Sequence, residues 1–303
     1  MIRVQQEGRG LGSDIRLTLI VKKESEAKAV FEQLWAVIQS FEKRFSRFHA
    51  DSELSTVNAS AGETVVVSSD FQKLLTEALK LSKKSGGIYE PLILPALQKA
   101  GYTGSWPETS TYDQRLDFKE RDNGSADKDI ILKDDSVHIN PNTALDFGGI
   151  GKGYLLDQLS DALLELGIND HWLSLGGDII CSGHNLEQTD WQVGIADALR
   201  PDEVVGQVVN RTGQRLAIAT SGITKRKGEG WHHIIDPRTG APADTSILTA
   251  TVTSNSATEA DVFAKCIVIV GQEQAAKFAD SVGLSQVIIQ VGKGDGSETI
   301  TIR

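Results

Sequence analysis

Cysteine is nearly absent from this chain. Cys181 and Cys266 lie far apart with no Cys-x-x-Cys pair, which points to buried free thiols and away from a disulfide framework or a cysteine-based metal site. The zinc-protease pattern His-Glu-x-x-His is missing as well. No apolar run approaches the ~18 residues of a membrane-spanning helix. Positive charge is in short supply, with 31 Lys+Arg against 41 Asp+Glu and a net charge of −10. With no long basic run either, the chain is a poor partner for nucleic acid, and any anionic ligand must be held by local features. The N-terminus lacks a charged segment followed by an apolar one. The expected location is therefore the cytoplasm as the chain is written, or outside it if an export signal has been trimmed. What remains is the balance of a globular protein, 40% apolar and 24% charged.

At 303 residues the chain can form one large domain or two interleaved ones. No internal repeat or Pro/Gly/Ser linker divides it, so residues 1–303 read as one module with interwoven subdomains. Residues 24–45 place Ala27, Val30, Phe31, Leu34, Trp35, Ile38, Phe41 and Phe45 at helical spacing. A second helix is predicted from an N-cap at Ser69 or Asp70 to Gly86-Gly87. Residues 101–137, rich in Thr, Ser, Asp and Gly, read as an irregular surface excursion. A third helix is predicted from about 155 to Gly167. Strands are predicted at 15–21, 172–175, 179–182, 191–195, 204–208, 215–220 and 248–253. Helices from Ala257 and over 272–282 precede closing strands at 286–290 and 298–302. The irregular alternation predicts α+β with mainly antiparallel sheet.

The densest signal is Ala144-Leu145-Asp146-Phe147-Gly148-Gly149-Ile150-Gly151-Lys152-Gly153-Tyr154. A glycine-rich turn entering a helix offers unpaired N–H groups and a positive dipole end to phosphate, and Lys152 adds a charge. The run is neither GxxxxGK[ST] nor GxGxxG, and it also suits a plain strand-to-helix turn. Gly176-Gly177-Asp178 is either a hairpin turn or a second close approach to a ligand. Thr220-Ser221-Gly222 ends a strand. His232-His233 precedes Asp236-Pro237-Arg238-Thr239-Gly240, an ordinary turn sequence. A histidine there is either a surface residue or a general base for a hydroxyl. Asp261 and Lys265, four apart on a helix, are either an ion pair or part of a Mg2+ and phosphate site.

Taken in order, these segments resemble one family, the flavin transferases of the ApbE type. The resemblance runs through Leu11-Gly12-Ser13, Phe45-Ser46-Arg47-Phe48 with Asp51-Ser52-Glu53-Leu54-Ser55 and Asn58, and Gly86-Gly87-Ile88-Tyr89-Glu90-Pro91. It continues through Asp146–Tyr154 with Asp157, then 176–178, 220–222 and 233–240. It implies an α+β fold related to the T-fold, in two subdomains, and a FAD:protein FMN transferase activity. FMN would pass from FAD to a Ser or Thr hydroxyl of an acceptor redox flavoprotein, releasing AMP. It implies a FAD pocket containing Leu11, Phe48, Ile88, Tyr89, Glu90, Asp146, Lys152, Ser221 and Ile235, with Phe48 stacking on a ring of the ligand. His233 would orient or deprotonate the acceptor hydroxyl. Mg2+ would be held by the Gly149 carbonyl and by Asp261, with Lys152 beside it.

Three residues depart from that pattern. Lys265 stands where the family usually has a metal-binding Thr, Ala264 where some members carry Asp, and Glu90 where Asp is usual. An ammonium cannot coordinate Mg2+, so weakened or altered metal dependence is expected. FAD hydrolysis to FMN and AMP, or non-catalytic FAD binding with Lys265 in the metal's place, are the alternative readings.

Overall fold

The computed structural model describes residues 1–102, 126–229, 231–294 and 296–302. Its frame is an eight-stranded sheet whose strands lie side by side in chain order. They are Ile2–Gly10, Ser13–Val21, His171–Leu175, Asp178–Ser182, Leu216–Gly222, Ile247–Ser254, Gln286–Lys293 and Gly296–Thr301. Every neighbouring pair in this sheet is antiparallel. The α+β reading with mainly antiparallel sheet therefore holds.

Strand periodicity assigns the two faces of this sheet. Leu173, Leu175, Ile180, Ala217 and Ala219 enter the main core. Ile179 and Ile218, one residue out of phase, meet Val193, Ile195 and Val208 from the hairpin of Gln192–Ala196 and Val204–Val209. On the main-core face lies helix Ala257–Val270, which packs on strands Leu216–Gly222 and Ile247–Ser254 and also on helix Gly151–Glu165. The 257–270 helix is buried almost all round, as its apolar composition requires. Helix Glu24–Phe45 buries the periodic set Ala27, Phe31, Leu34, Ile38, Phe41 and Phe45.

Some elements differ from the sequence expectation. Strand Ile2–Gly10 was not anticipated, because its residues are polar and it is an edge strand. Trp35 supplies the missing anchor: its Nε1 donates to Gln6 Oε1 at 2.8 Å, and its ring lies where a Cβ on Gly8 would be. The cap of helix Ser69–Lys84 is Ser68, whose Oγ accepts from Phe71 N; neither Ser69 nor Asp70 fills that place. The expected excursion at 101–137 lies largely outside the described residues. Its described end is regular: helix Ala126–Asp129 and strands Ile130–Lys133 and Ser136–Ile139, the last paired with Thr64–Val66. Among the described residues no helix is long and apolar enough to cross a membrane.

His171 is fully buried, its Nε2 2.9 Å from Ser160 Oγ and its Nδ1 3.0 Å from the Ile168 carbonyl. Burial holds its pKa down to about 4. Between the unfolded value near 6.5 and that folded value, the unfolded chain binds the extra proton, so stability falls as pH drops through this window. We expect the melting temperature to fall from pH 6.5 to pH 4. His171→Gln should flatten that slope while lowering the melting temperature at pH 7.5.

Candidate functional site

A cavity of ≈ 460 Å³ opens where the glycine-rich run, the end of helix Glu24–Phe45, the 88–93 segment, the 226–237 loop and helix Ala257–Val270 meet. Its size falls within the range of small-molecule pockets. The side chains on its wall include Leu11, Phe48, Ile88, Tyr89, Glu90, Asp146, Lys152, His233, Ile235 and Lys265, with Gly149 among them. Eleven positions singled out in the sequence are thus brought together. Ser221 is not on the wall; it lies buried in strand Leu216–Gly222, opposite Ala250. Asp261 is not on the wall either. It sits just behind, 1% exposed, under Lys152 and Lys265.

Local geometry explains how the glycine run reaches the cavity. The segment entering the run is irregular and not a strand, and Asn58 clamps it, with Nδ2 donating to Leu145 O at 2.9 Å and Oδ1 accepting from Leu145 N at 2.7 Å. The run then turns into helix Gly151–Glu165, but the main-chain donors are largely claimed within the protein. Gly148 N–H donates to Asp146 Oδ1, Ile150 and Gly151 N–H to Phe147 O, and Gly153 N–H to Asp261 Oδ2 at 3.1 Å. The positive helix end is therefore neutralised by Asp261, and positive charge reaches the cavity on the Lys152 side chain. Gly153 has a separate purpose. A Cβ there would stand 2.3 Å from Ala257 O and 2.8 Å from Asp261 Cβ, so its absence lets the two helices touch.

The charged groups form one chain of contacts. Lys152 Nζ bonds Asp178 Oδ2 and stands 3.5 Å from Asp261 Oδ2. Lys265 Nζ bonds Asp261 Oδ1 and, at 3.0 Å, its main-chain oxygen. Burial alone would lower the Lys152 pKa, but Asp178 and Asp261 outweigh it, and the ammonium is held above its ordinary value. Burial opposes ionisation of Asp261, yet Lys152 and Lys265 prevail and keep it ionised. Gly176-Gly177-Asp178 is the hairpin turn between strands His171–Leu175 and Asp178–Ser182, with φ of +63° and +96° at the glycines. The turn also delivers Asp178 to Lys152. Asp157 fixes the other side: it accepts from Ser256 Oγ and from the N–H groups of Ala257 and Thr258, capping the helix that carries Asp261 and Lys265.

At the other end the wall is aromatic. The Arg47 guanidinium lies 4.5 Å from the Phe48 ring centroid and 4.7 Å from that of Tyr102, and its Nε is 3.0 Å from Asp146 Oδ2. One face of Phe48 is thus covered by Arg47, and Asp146 is already paired within the protein. Leu11 on the rim has φ +52°, a strained turn position costing about 1–2 kcal/mol. Its N–H is held by Glu42 Oε1 at 2.9 Å. Two buried wall atoms, Tyr89 Oη and His233 Nδ1, have no hydrogen-bond partner among the described residues. Burial, then Arg226 and Lys265, lower the His233 pKa to about 3, so its ring is neutral at physiological pH.

Sequence reasoning missed Arg47, Arg226, Tyr102 and the pairing role of Asp178. The tripeptide Lys225-Arg226-Lys227 in an acidic chain was the available signal for Arg226. Arg226 holds φ +46°, lines the cavity and accepts the His233 N–H on its carbonyl.

The donor set does not suit Mg2+. Both Asp261 oxygens are engaged by ammonium or amide donors, and the Lys265 stem runs past Gly149. Among the described residues no three His, Cys, Asp or Glu side chains gather to hold a metal. Mg2+ favours an octahedral shell of oxygens.

The cavity wall thus combines the cations Lys152, Arg226 and Lys265, the aromatic rings of Phe48, Tyr89 and Tyr102, and His233. Residues 11–289 match the model of the ApbE family, and the chain belongs to that family. It is similar to the FAD:protein FMN transferase of Treponema pallidum, 27% identical over 90% of this chain and 81% of that one. It is also similar to the FAD:protein FMN transferase of Klebsiella pneumoniae, 25% identical over 97% and 85%. Among solved structures, the flavin transferase ApbE from Vibrio cholerae shares its fold with a TM-score of 0.83 at 24% identity, covering 99% of this chain and 97% of that one. The ApbE protein from Thermotoga maritima does so at 22% identity with the same TM-score, covering 99% and 96%.

The two glycines should separate on substitution. Gly153→Ala forces the helices apart and should cost about 1–3 kcal/mol, read as a lower melting temperature. Gly149→Ala brings a methyl 3.1 Å from the Tyr89 ring on the cavity wall. It should narrow the cavity beside Tyr89 while leaving the melting temperature close to wild type.

Proposed function

We propose that the chain is a FAD:protein FMN transferase acting on a Ser or Thr hydroxyl of an acceptor redox flavoprotein. The observation that carries this reading is His233. Its Nδ1 is buried, with no partner among the described residues, on the wall of a cavity whose cations suit a pyrophosphate, in a chain of the ApbE family. Binding FAD alone requires no such nitrogen.

The chemistry follows from the placement. The pyrophosphate lies over Lys152, Lys265 and Arg226, which neutralise charge as it develops in transfer. The aromatic end around Phe48 and Tyr102, with Leu11, Ile88, Tyr89, Glu90 and Ile235 along the wall, takes the rings. The acceptor hydroxyl oxygen forms a bond to the FMN-side phosphorus, and its proton passes to the His233 ring. The bond from that phosphorus to the bridging oxygen breaks, and AMP departs with that oxygen. The product is a phosphoester of FMN on the acceptor. Asp261 supports this site from behind by holding Lys265 and Gly153. Water in the acceptor's place would give free FMN and AMP instead.

A base with a pKa near 3 is weak. Burial is the main cause of that low value, and the fields of Arg226 and Lys265 add to it; an incoming pyrophosphate offsets those two fields and so acts to raise the His233 pKa when FAD binds. The acid limb of kcat should accordingly lie at higher pH than that of kcat/KM. Arg226→Met should move the kcat/KM limb upward.

Incubation with FAD and an acceptor peptide, followed by mass spectrometry and AMP quantification, tests the assignment. Covalent FMN with equimolar AMP supports transfer; free FMN with AMP means hydrolysis; unchanged bound FAD means a carrier. His233→Ala should lower the transfer rate by about 10²–10⁴-fold with FAD affinity retained.

A further inference from the structure

The cavity's cationic end contains its own counter-ions and leaves a carboxylate with nothing to offer. Lys265 reaches Asp261 Oδ1 and the Asp261 main-chain oxygen; Gly153 N–H and Lys152 approach Oδ2. Lys152 is shared with Asp178, and Arg226 is a third cation on the wall. Lys152 and Lys265 are thus each tied to a buried carboxylate, and Arg226 adds a further cation, while Glu42, Glu90 and the Arg47–Asp146 pair also line the cavity.

We infer that this chain handles the FAD pyrophosphate without a divalent metal: the Lys265 ammonium, tethered on Asp261, performs the electrostatic task in place of a bound cation. The inference rests on the FAD reading above and deepens it. Its ground is positional. Lys265 and Lys152 are both about four-fifths buried, yet both line the cavity, so their charges are already desolvated and aimed before ligand arrives. An ammonium so placed stabilises the transferring group at no cost in reorganisation. It also repels a divalent ion from Asp261. A tethered cation has no dissociation constant, so ligand affinity and rate become independent of free metal and insensitive to chelator.

Three measurements on the full chain decide this. First, AMP release from FAD is followed in EDTA and in excess Mg2+, with acceptor present; rates within about twofold of each other are expected. Second, FAD affinity is measured by flavin fluorescence under both conditions, and Mg2+ is titrated calorimetrically into the FAD complex. Equal affinities and no stoichiometric Mg2+ binding are expected. Third, Lys265→Thr removes the ammonium and supplies an oxygen beside Asp261. It should lose about tenfold or more in EDTA and recover with Mg2+, whereas Lys265→Met should lose as much and not recover. A wild-type protein that falls about tenfold in EDTA and is restored by Mg2+, or that binds Mg2+ stoichiometrically with FAD, overturns the inference and leaves the transferase reading intact. Affinity for FAD without AMP release overturns the transferase reading; equal affinity in EDTA and Mg2+ then still upholds the tethered cation. Absence of FAD binding removes both.

Discussion

The arrangement depends on one carboxylate. Asp261 is a charged side chain on a helix otherwise buried for its apolar residues, and it is 1% exposed. Such a charge is tolerated only when paired and hydrogen-bonded. Its partners come from two helices: Lys265 one turn along the same helix, and Lys152 with the Gly153 N–H from the first turn of the neighbouring helix. Removing the partners of a buried charge costs about 3–5 kcal/mol. The ion cluster therefore locks the two helices in register and fixes where the cations meet the cavity. Gly153 permits the approach, and Asp157 caps the helix that brings Asp261 in.

From that lock the rest of the site follows. With the helix end already neutralised by Asp261, the glycine-rich run serves packing and access as much as it serves ligand amides. Positive charge reaches the cavity on side chains, which are longer and can be shared among several carboxylates. Burial, and then Arg226 and Lys265, depress the His233 pKa. The aromatic end works on a similar logic, with Arg47 satisfying Asp146 while flattening against Phe48 and Tyr102.

Much of the fold was legible because its elements obey simple periodicities. Helix Glu24–Phe45 and the two helices beginning at Ala257 and Gln272 follow from 3.6-residue spacing. The closing strands follow from apolar content. Strand Ile2–Gly10 was not legible, since its polar residues acquire a reason for being a strand only when Trp35 and the neighbouring strand are present. Ser68 outcompeted Ser69 and Asp70 as cap because Glu53 also engages it, taking the Ser68 Oγ at 2.8 Å; that contact crosses two helices and leaves no local trace.

The candidate site divides in the same way. Composition and motif order determined that a glycine-rich turn with Lys152, a histidine before a tight turn, and an Asp261–Lys265 pair exist in this chain, because each is a short-range pattern written in consecutive residues. Only tertiary structure decided that Asp178 belongs to Lys152, that Arg226 joins the cations, that Ser221 stays off the wall, and that Asp261 lies behind the lysines. Those outcomes depend on charge burial among segments far apart in sequence, and electrostatic pairing in a low-dielectric interior has no signature until the fold has brought the partners within a few ångströms.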